Sequence, residues 1–88
     1  MGEDATKEVI GQVARALIQE RRVLTRHCEE RMDERGVTMN DLSHALAHAT
    51  EAVQQPNGTW RIAGVDRDDA PLVLVVDVRE RIRIVTVM

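Results

Sequence analysis

Residues 72–78 limit the possible folds of this chain more than any other stretch. They are almost continuously apolar and rich in β-branched side chains. Such a run is typical of a strand that is buried on both of its faces. The sequence therefore predicts a sheet with a well-covered strand in the second half of the chain.

Three further strands are predicted around this run. Pro56-Asn57-Gly58 is a tight-turn signal, and it separates a short strand near 51–54 from a longer one at 59–65. After a charged connection and residues 72–78, a short turn leads to a last strand at 81–88. The alternation in that strand predicts one face formed by Ile82, Ile84, Thr86 and Met88. Short connections favour an antiparallel meander.

The first half of the chain has helical periodicity instead. An amphipathic stripe predicts a helix over residues 5–22 that faces the core. A second helix follows, with Thr25 as its N-cap and Gly36 just past its end. Thr38 to Asp41 fits a capping box and opens a third helix that ends near residue 50. We therefore expect an α+β domain, with about three N-terminal helices packed on a mainly antiparallel sheet of about four strands.

Composition narrows the classes of function. A chain of 88 residues is the size of one domain, here comprising an N-terminal helix (1–22) and a helix–helix–sheet core (23–88). Trp60 is the only aromatic residue apart from the histidines, and the formal net charge is −3. Both facts disfavour a broad nucleic-acid surface, although a local basic pocket is compatible with them. No apolar run is long enough to span a membrane, and a cytoplasmic location is expected.

The second helix carries the best candidate site. On a helical projection Arg31 and Arg35 fall within about 80° of His27, on the side that also carries Cys28 and Met32. The four acidic residues of the same stretch fall on the other side. A cleft between this helix and the sheet would allow the arginines to hold an anion and His27 to act as a general acid or base. Imidazole titrates near neutral pH, which suits either role.

A purely structural interpretation competes with this one. Arginines at the border of an apolar stripe can bury their stems and keep their charge in water, or pair with Asp77 from the sheet. His27 can equally satisfy a buried carbonyl. Arg61 follows Trp60 on a strand and points to the opposite face, so it joins the cleft only if that face meets the second helix.

Other candidates are weaker. His44 and His48 are spaced for a shared metal ion, but the glutamate of the H-E-x-x-H motif is missing and no clear third ligand is visible. A solvated helix face is the better interpretation, and no metal is expected. Cys28 is the only cysteine. It neighbours His27 in sequence but does not face it on a helix, so we expect a small packed apolar residue.

The sequence from residue 23 to 88 resembles DUF4258, a small prokaryotic domain family of unknown function. The resemblance rests on TRHCEERMDERGVT at 25–38, where the histidine, both arginines, the methionine and the glycine are in register. Further matches follow at Asp41-Leu42, at WRIAG (60–64) and at VTVM (85–88). Cys28 stands where alanine is usual, and residues 1–22 lie outside the signature.

The resemblance implies a fold similar to RelE-type and MqsR-type toxins that cleave messenger RNA, and hence a metal-independent endoribonuclease of bacterial origin. His27, Arg31 and Arg35 match the polar helix positions of the family, and Arg61 and Thr86 match weaker strand positions. The implied partners are RNA and an antitoxin, and no cofactor is needed.

Two functional hypotheses therefore stand. In the first, the RNA 2′-hydroxyl attacks the adjacent phosphate, His27 transfers the proton, and Arg31, Arg35 and Arg61 stabilise the developing charge. In the second, the domain is a non-catalytic interaction module. Its arginines then form structural ion pairs, and its first helix or a sheet edge recruits a partner protein or a second copy.

Overall fold

Three helices precede a sheet of four strands in a computed structural model, which describes residues 2–19 and 23–88, with side chains from residue 5 onward. The elements are α1 (Gly2–Ile18), α2 (Arg26–Arg35), α3 (Met39–Ala47), β1 (Glu51–Gln54), β2 (Trp60–Val65), β3 (Pro71–Asp77) and β4 (Arg83–Val87). The predicted α+β class is confirmed.

The sheet is an antiparallel meander with the strand order β1-β2-β3-β4, as the short connections predicted. One further pairing was not predicted. The segment from Val23 to Thr25 runs parallel to β4 along its outer edge, where Thr25 donates its backbone N–H to the carbonyl of Ile84 (3.1 Å). This pairing fixes the point at which α2 begins, next to the last strand.

The helices cover one face of the sheet. That face contributes seven side chains to the single core: Ala52, Ile62, Leu72, Leu74, Val76, Ile84 and Val87. The twelve residues at the alternate positions form the other face, which we call the open face: Glu51, Val53, Arg61, Ala63, Val65, Pro71, Val73, Val75, Asp77, Arg83, Thr86 and Met88. All twelve are exposed or only partly buried.

The prediction that residues 72–78 are buried on both faces is therefore wrong for the isolated chain. Leu72, Leu74 and Val76 are at most 1% exposed, whereas Val73 and Val75 on the open face are only half-buried. No described helix packs over them, because α1, α2 and α3 contact the sheet from the core side.

The predicted face of the last strand is also wrong. The β3–β4 register shifts between Val75 and Val76, which marks a bulge that changes the alternation along β4. Ile84 and Val87 consequently both point into the core, and Thr86 points to the open face opposite Val75.

Helix α1 packs against α3 and β1. Of the positions in its predicted apolar stripe, Val9, Val13 and Leu17 are buried, whereas Ile18 is 77% exposed. Ala16, which was not part of that stripe, is buried as well. Residues 20–22 of the predicted helix lie outside the described part of the chain. Among the described residues no helix combines the length and the apolar character needed to cross a bilayer.

Helix α3 approaches β2 very closely. A Cβ atom built on Gly64 would overlap the carbonyl oxygen of Ala45 and would lie only 2.9 Å from its carbonyl carbon, far inside an ordinary van der Waals contact. Only glycine therefore allows the backbone of α3 to rest on β2 at this position.

Candidate functional site

Helix α2 begins and ends where its sequence predicted. The hydroxyl of Thr25 accepts a hydrogen bond from the backbone N–H of Cys28 (3.1 Å) and donates one to the carbonyl of Val85 (2.7 Å). Gly36 adopts a left-handed conformation (φ 67°) and donates its N–H to the last turn. The helix is thus held rigidly against β4, and His27 lies in its first turn.

The three candidate site residues of α2 are more exposed than a catalytic cleft would require. His27 and Arg35 are exposed, and Arg31 is half-buried. Arg31 pairs with Glu34 on its own helix (3.3 Å), and both side chains remain largely in solvent, at 41% and 62% exposed. An exposed pair of this kind contributes only a few tenths of a kcal/mol (roughly 0.2–0.5), so Arg31 can still turn towards a ligand.

The buried side of α2 carries packing residues rather than catalytic ones. Cys28 and Met32 pack into the core, with 3.8 Å between Sγ and Sδ. Burial, with a smaller effect from Glu29, raises the pKa of the Cys28 thiol to about 11. The thiol is thus protonated at neutral pH, and the predicted role of Cys28 as a packed apolar residue is confirmed.

Arg61 and Thr86 lie on the open face, away from the core side on which α2 packs. In the register of the sheet Arg61 is opposite Val75, and Val75 is opposite Thr86. The two polar residues therefore share one row, two strand spacings apart, or about 10 Å. Cys28 and Met32 anchor α2 in the same cluster as Ile84 and Val87, on the other face.

The five predicted site residues therefore form two groups rather than one cleft. His27, Arg31 and Arg35 lie on α2, and Arg61 and Thr86 lie on the open face. Arg61 was expected to join the cleft only if its face of the sheet met the second helix. In this fold that face does not meet α2.

Two cavities among the described residues illustrate the separation of the two groups. One cavity of about 580 Å³ lies between α1 and the β3–β4 connection, and none of the five predicted site residues lines it. A depression of about 370 Å³ includes Arg61 at the β1 side of the open face, but none of the other four.

Asp77 does not pair with the arginines of α2. It forms a two-pronged ion pair with Arg79, at 3.1 Å from Nε and 3.0 Å from the terminal nitrogen, and this partner lowers its pKa to about 2. Arg79 also donates to the carbonyl of Asn57 (3.0 Å). Arg79 thereby connects the β3–β4 turn to the β1–β2 turn. This structural role was not predicted from the sequence, where the D-x-R spacing of Asp77 and Arg79 was the only signal for the ion pair.

His44 and His48 stack on each other with their ring centroids 4.3 Å apart. Asp41, the acid on the same side, is engaged elsewhere: it accepts the N–H of Thr38 (2.9 Å) and the N–H of Arg67 (3.2 Å). These bonds lower the pKa of its carboxyl group. Within the described part of the chain no group of three or more His, Cys, Asp or Glu residues is arranged to hold a metal ion.

The other feature that the sequence reasoning missed is the apolar content of the open face. Six of its residues are apolar and non-proline, spread from β1 to the residue that follows β4: Val53, Ala63, Val65, Val73, Val75 and Met88. Val53 is 48% exposed and Met88 is 42% exposed. The unbroken apolar character of residues 72–78 was the available signal.

The fold and its surfaces define a small α+β domain with an uncovered sheet face. The chain belongs to the family described as "Domain of unknown function (DUF4258)", whose model matches residues 24–88. Helix α1 lies outside the match. Neither the curated proteins nor the solved structures contain a significant match.

Proposed function

We propose that this domain is a protein-interaction module and that the open face is its binding surface. The observation that carries the proposal is the apolar content of this face. One face of an antiparallel sheet can remain in water when its residues are polar, but here apolar side chains occupy half of the twelve positions. Contiguous exposed apolar surface on a soluble domain is typical of an interaction site.

The character of the face favours protein over nucleic acid. Proteins that bind single-stranded RNA stack the bases on aromatic side chains, and the twelve residues of the open face include none. Trp60, the only candidate, is at a core-side position and packs against the core. The open face carries two arginines and two acids, so it has little net charge to attract a polyanion.

A variant pair tests the module. Val53→Lys places a charge on the open face at a position that is already 48% exposed, and Ser43→Lys places the same charge on the exposed surface of α3. We expect tagged wild type and Ser43→Lys to retain the same proteins from host cells, and Val53→Lys to lose them at least tenfold. Circular dichroism checks that both variants fold. Identical protein profiles for all three would refute the proposal.

A second candidate function is the metal-independent endoribonuclease that the sequence resemblance led us to expect. One observation favours it: Arg61 and Thr86, two family-like strand positions, share a row on the open face, while His27 is exposed at the start of α2. An RNA strand that contacts both His27 and the Arg61–Thr86 row would have to run around the β4 edge of the sheet, because the two groups lie on different sides of it.

RNA cleavage by purified protein in excess chelator tests this second candidate. If His27 transfers the proton, His27→Ala abolishes cleavage, whereas Ser43→Ala leaves it intact. Cleavage that is absent, or equally strong in His27→Ala, would leave the interaction module as the remaining function.

A further inference from the structure

We propose that the open face binds an amphipathic α-helix of a partner protein and that a carboxylate on this helix pairs with Arg61. The inference rests on the proposed interaction function and names the kind of partner. It follows from the apolar pattern of β3, the place of Arg61 within that pattern, and the dimensions of the face.

The pattern of β3 is that of a strand between two layers. Leu72, Leu74 and Val76 are covered by the helices of this chain, but Val73 and Val75 have an equally apolar, β-branched character and no described helix covers them. A sheet with two apolar faces is stable when a further layer of secondary structure packs on each face. The layer on the core side is helical in this chain, and we place a helix on the open face as well.

Arg61 indicates which charge the partner helix should carry. It is exposed near the middle of the face, with Val53 and Val75 opposite it on the two neighbouring strands. The ion pairs between described residues involve Arg26, Arg31 and Arg79, and Arg61 takes part in none of them. Covering the face removes water from its guanidinium group, and a carboxylate on the partner helix would offset this cost.

The dimensions fit a helix. Four strands about 4.8 Å apart and about five residues long give a face of roughly 19 by 17 Å. A helix of about 11 residues spans 17 Å, and its diameter with side chains is about 10–12 Å. A helix of this size covers roughly 190 Å² of the face. This predicts weak and reversible docking, because stable complexes bury about 800 Å² on each partner.

A second copy of this chain is a poorer occupant. Two copies meeting face to face would bury at most roughly 320 Å² each, still far below the area in a stable complex. A two-fold axis through the middle of the face would also bring both Arg61 guanidinium groups together, and their repulsion grows as water is excluded. A foreign helix with one acid avoids this repulsion.

Site-specific photo-crosslinking in host cells tests the inference. The photoreactive residue p-benzoylphenylalanine replaces Val53 on the open face or, as a control, Ser43 on α3, in the otherwise intact chain. We expect an adduct from position 53 only. Mass spectrometry of the adduct is expected to identify a segment of another protein with apolar residues at helical spacing and an Asp or Glu among them.

Charge reversal then tests the pairing. Arg61→Glu and Arg83→Glu make the same change in charge, but Arg83 lies at the edge of the face on β4. We expect Arg61→Glu to lower the adduct yield at least tenfold, Arg83→Glu to lower it less than threefold, and an acid-to-lysine change in the partner to restore the yield with Arg61→Glu.

The outcomes separate the inference from the function on which it rests. An adduct with a loop or an extended segment, or equal effects of the two reversals, would overturn the helix and its carboxylate but keep the interaction module. An adduct with a second copy of this chain would also overturn the inference. An adduct with RNA, or none at position 53, would overturn both.

Discussion

Replacing Gly64 with alanine is expected to destabilise the protein by about 2 kcal/mol, because the new Cβ has no room. It would overlap the oxygen of Ala45 and lie 2.9 Å from the carbonyl carbon and 3.0 Å from the Cα of the same residue. All three are backbone atoms, so no rotamer change relieves the overlap. Helix α3 must retreat from β2 by about 1 Å to restore ordinary contacts, and this loosens the packing of Leu42 and Leu46 in the core.

Gly11→Ala is the matched control, since it adds the same methyl group at another glycine. Gly11 lies inside α1, and a Cβ there meets nothing within 4 Å. Alanine is the better helix former by about 0.5–1 kcal/mol, so Gly11→Ala is expected to stabilise the protein.

Thermal unfolding followed by circular dichroism measures both effects. In a domain of this size 1 kcal/mol shifts Tm by about 4–8 °C. We therefore expect Gly64→Ala to melt about 8–16 °C below wild type and Gly11→Ala to melt a few degrees above it. A Gly64→Ala variant as stable as wild type would refute the close α3–β2 contact.

Three further predictions concern local interactions. Because the Arg79 ion pair lowers the folded-state pKa of Asp77 from 3.8 to about 2, its stabilisation is complete above about pH 4 and is lost as the pH falls towards 2. The difference in Tm between wild type and Asp77→Asn should shrink over that range, and a constant difference would contradict the ion pair. The buried Cys28 thiol, with its pKa raised to about 11, should resist iodoacetamide at about pH 8 and react after unfolding; rapid labelling of the folded protein would show that it is accessible. Thr25→Ala removes the N-cap of α2 and should cost about 1 kcal/mol in denaturant unfolding, whereas Ser43→Ala on exposed α3 should be nearly neutral.

The sequence predicted those parts of the fold that depend on local signals. Thr25 caps α2, Gly36 ends it in the left-handed conformation, and Thr38 with Asp41 forms the capping box of α3. Each depends on residues at most four positions apart, where the backbone geometry leaves few alternatives. The antiparallel strand order follows similarly from short connections.

Features set by the pairing of distant strands could not be read from the sequence. The face to which a strand residue points depends on register, and one bulge reverses it. The shift between Val75 and Val76 moves Thr86 out of the face predicted for Ile84. For the same reason the separation of Arg61 from His27 could not be foreseen, because a motif aligned in sequence does not state which side of a sheet its residues occupy.

The apolar run at residues 72–78 shows how a failed structural prediction can still carry functional information. The pattern indicates burial on both faces, and the isolated chain covers one. Two explanations are available for Val73 and Val75 on the open face. Either valine is present there only because it favours strand structure, or another protein covers these residues in an assembly. Propensity alone does not explain the apolar residues outside β3, because Ala63 has little preference for strands and Met88 lies just beyond β4, yet both lie beside Val73 on the same face. Continuity across neighbouring strands, rather than the run in β3 alone, is what favours the assembly.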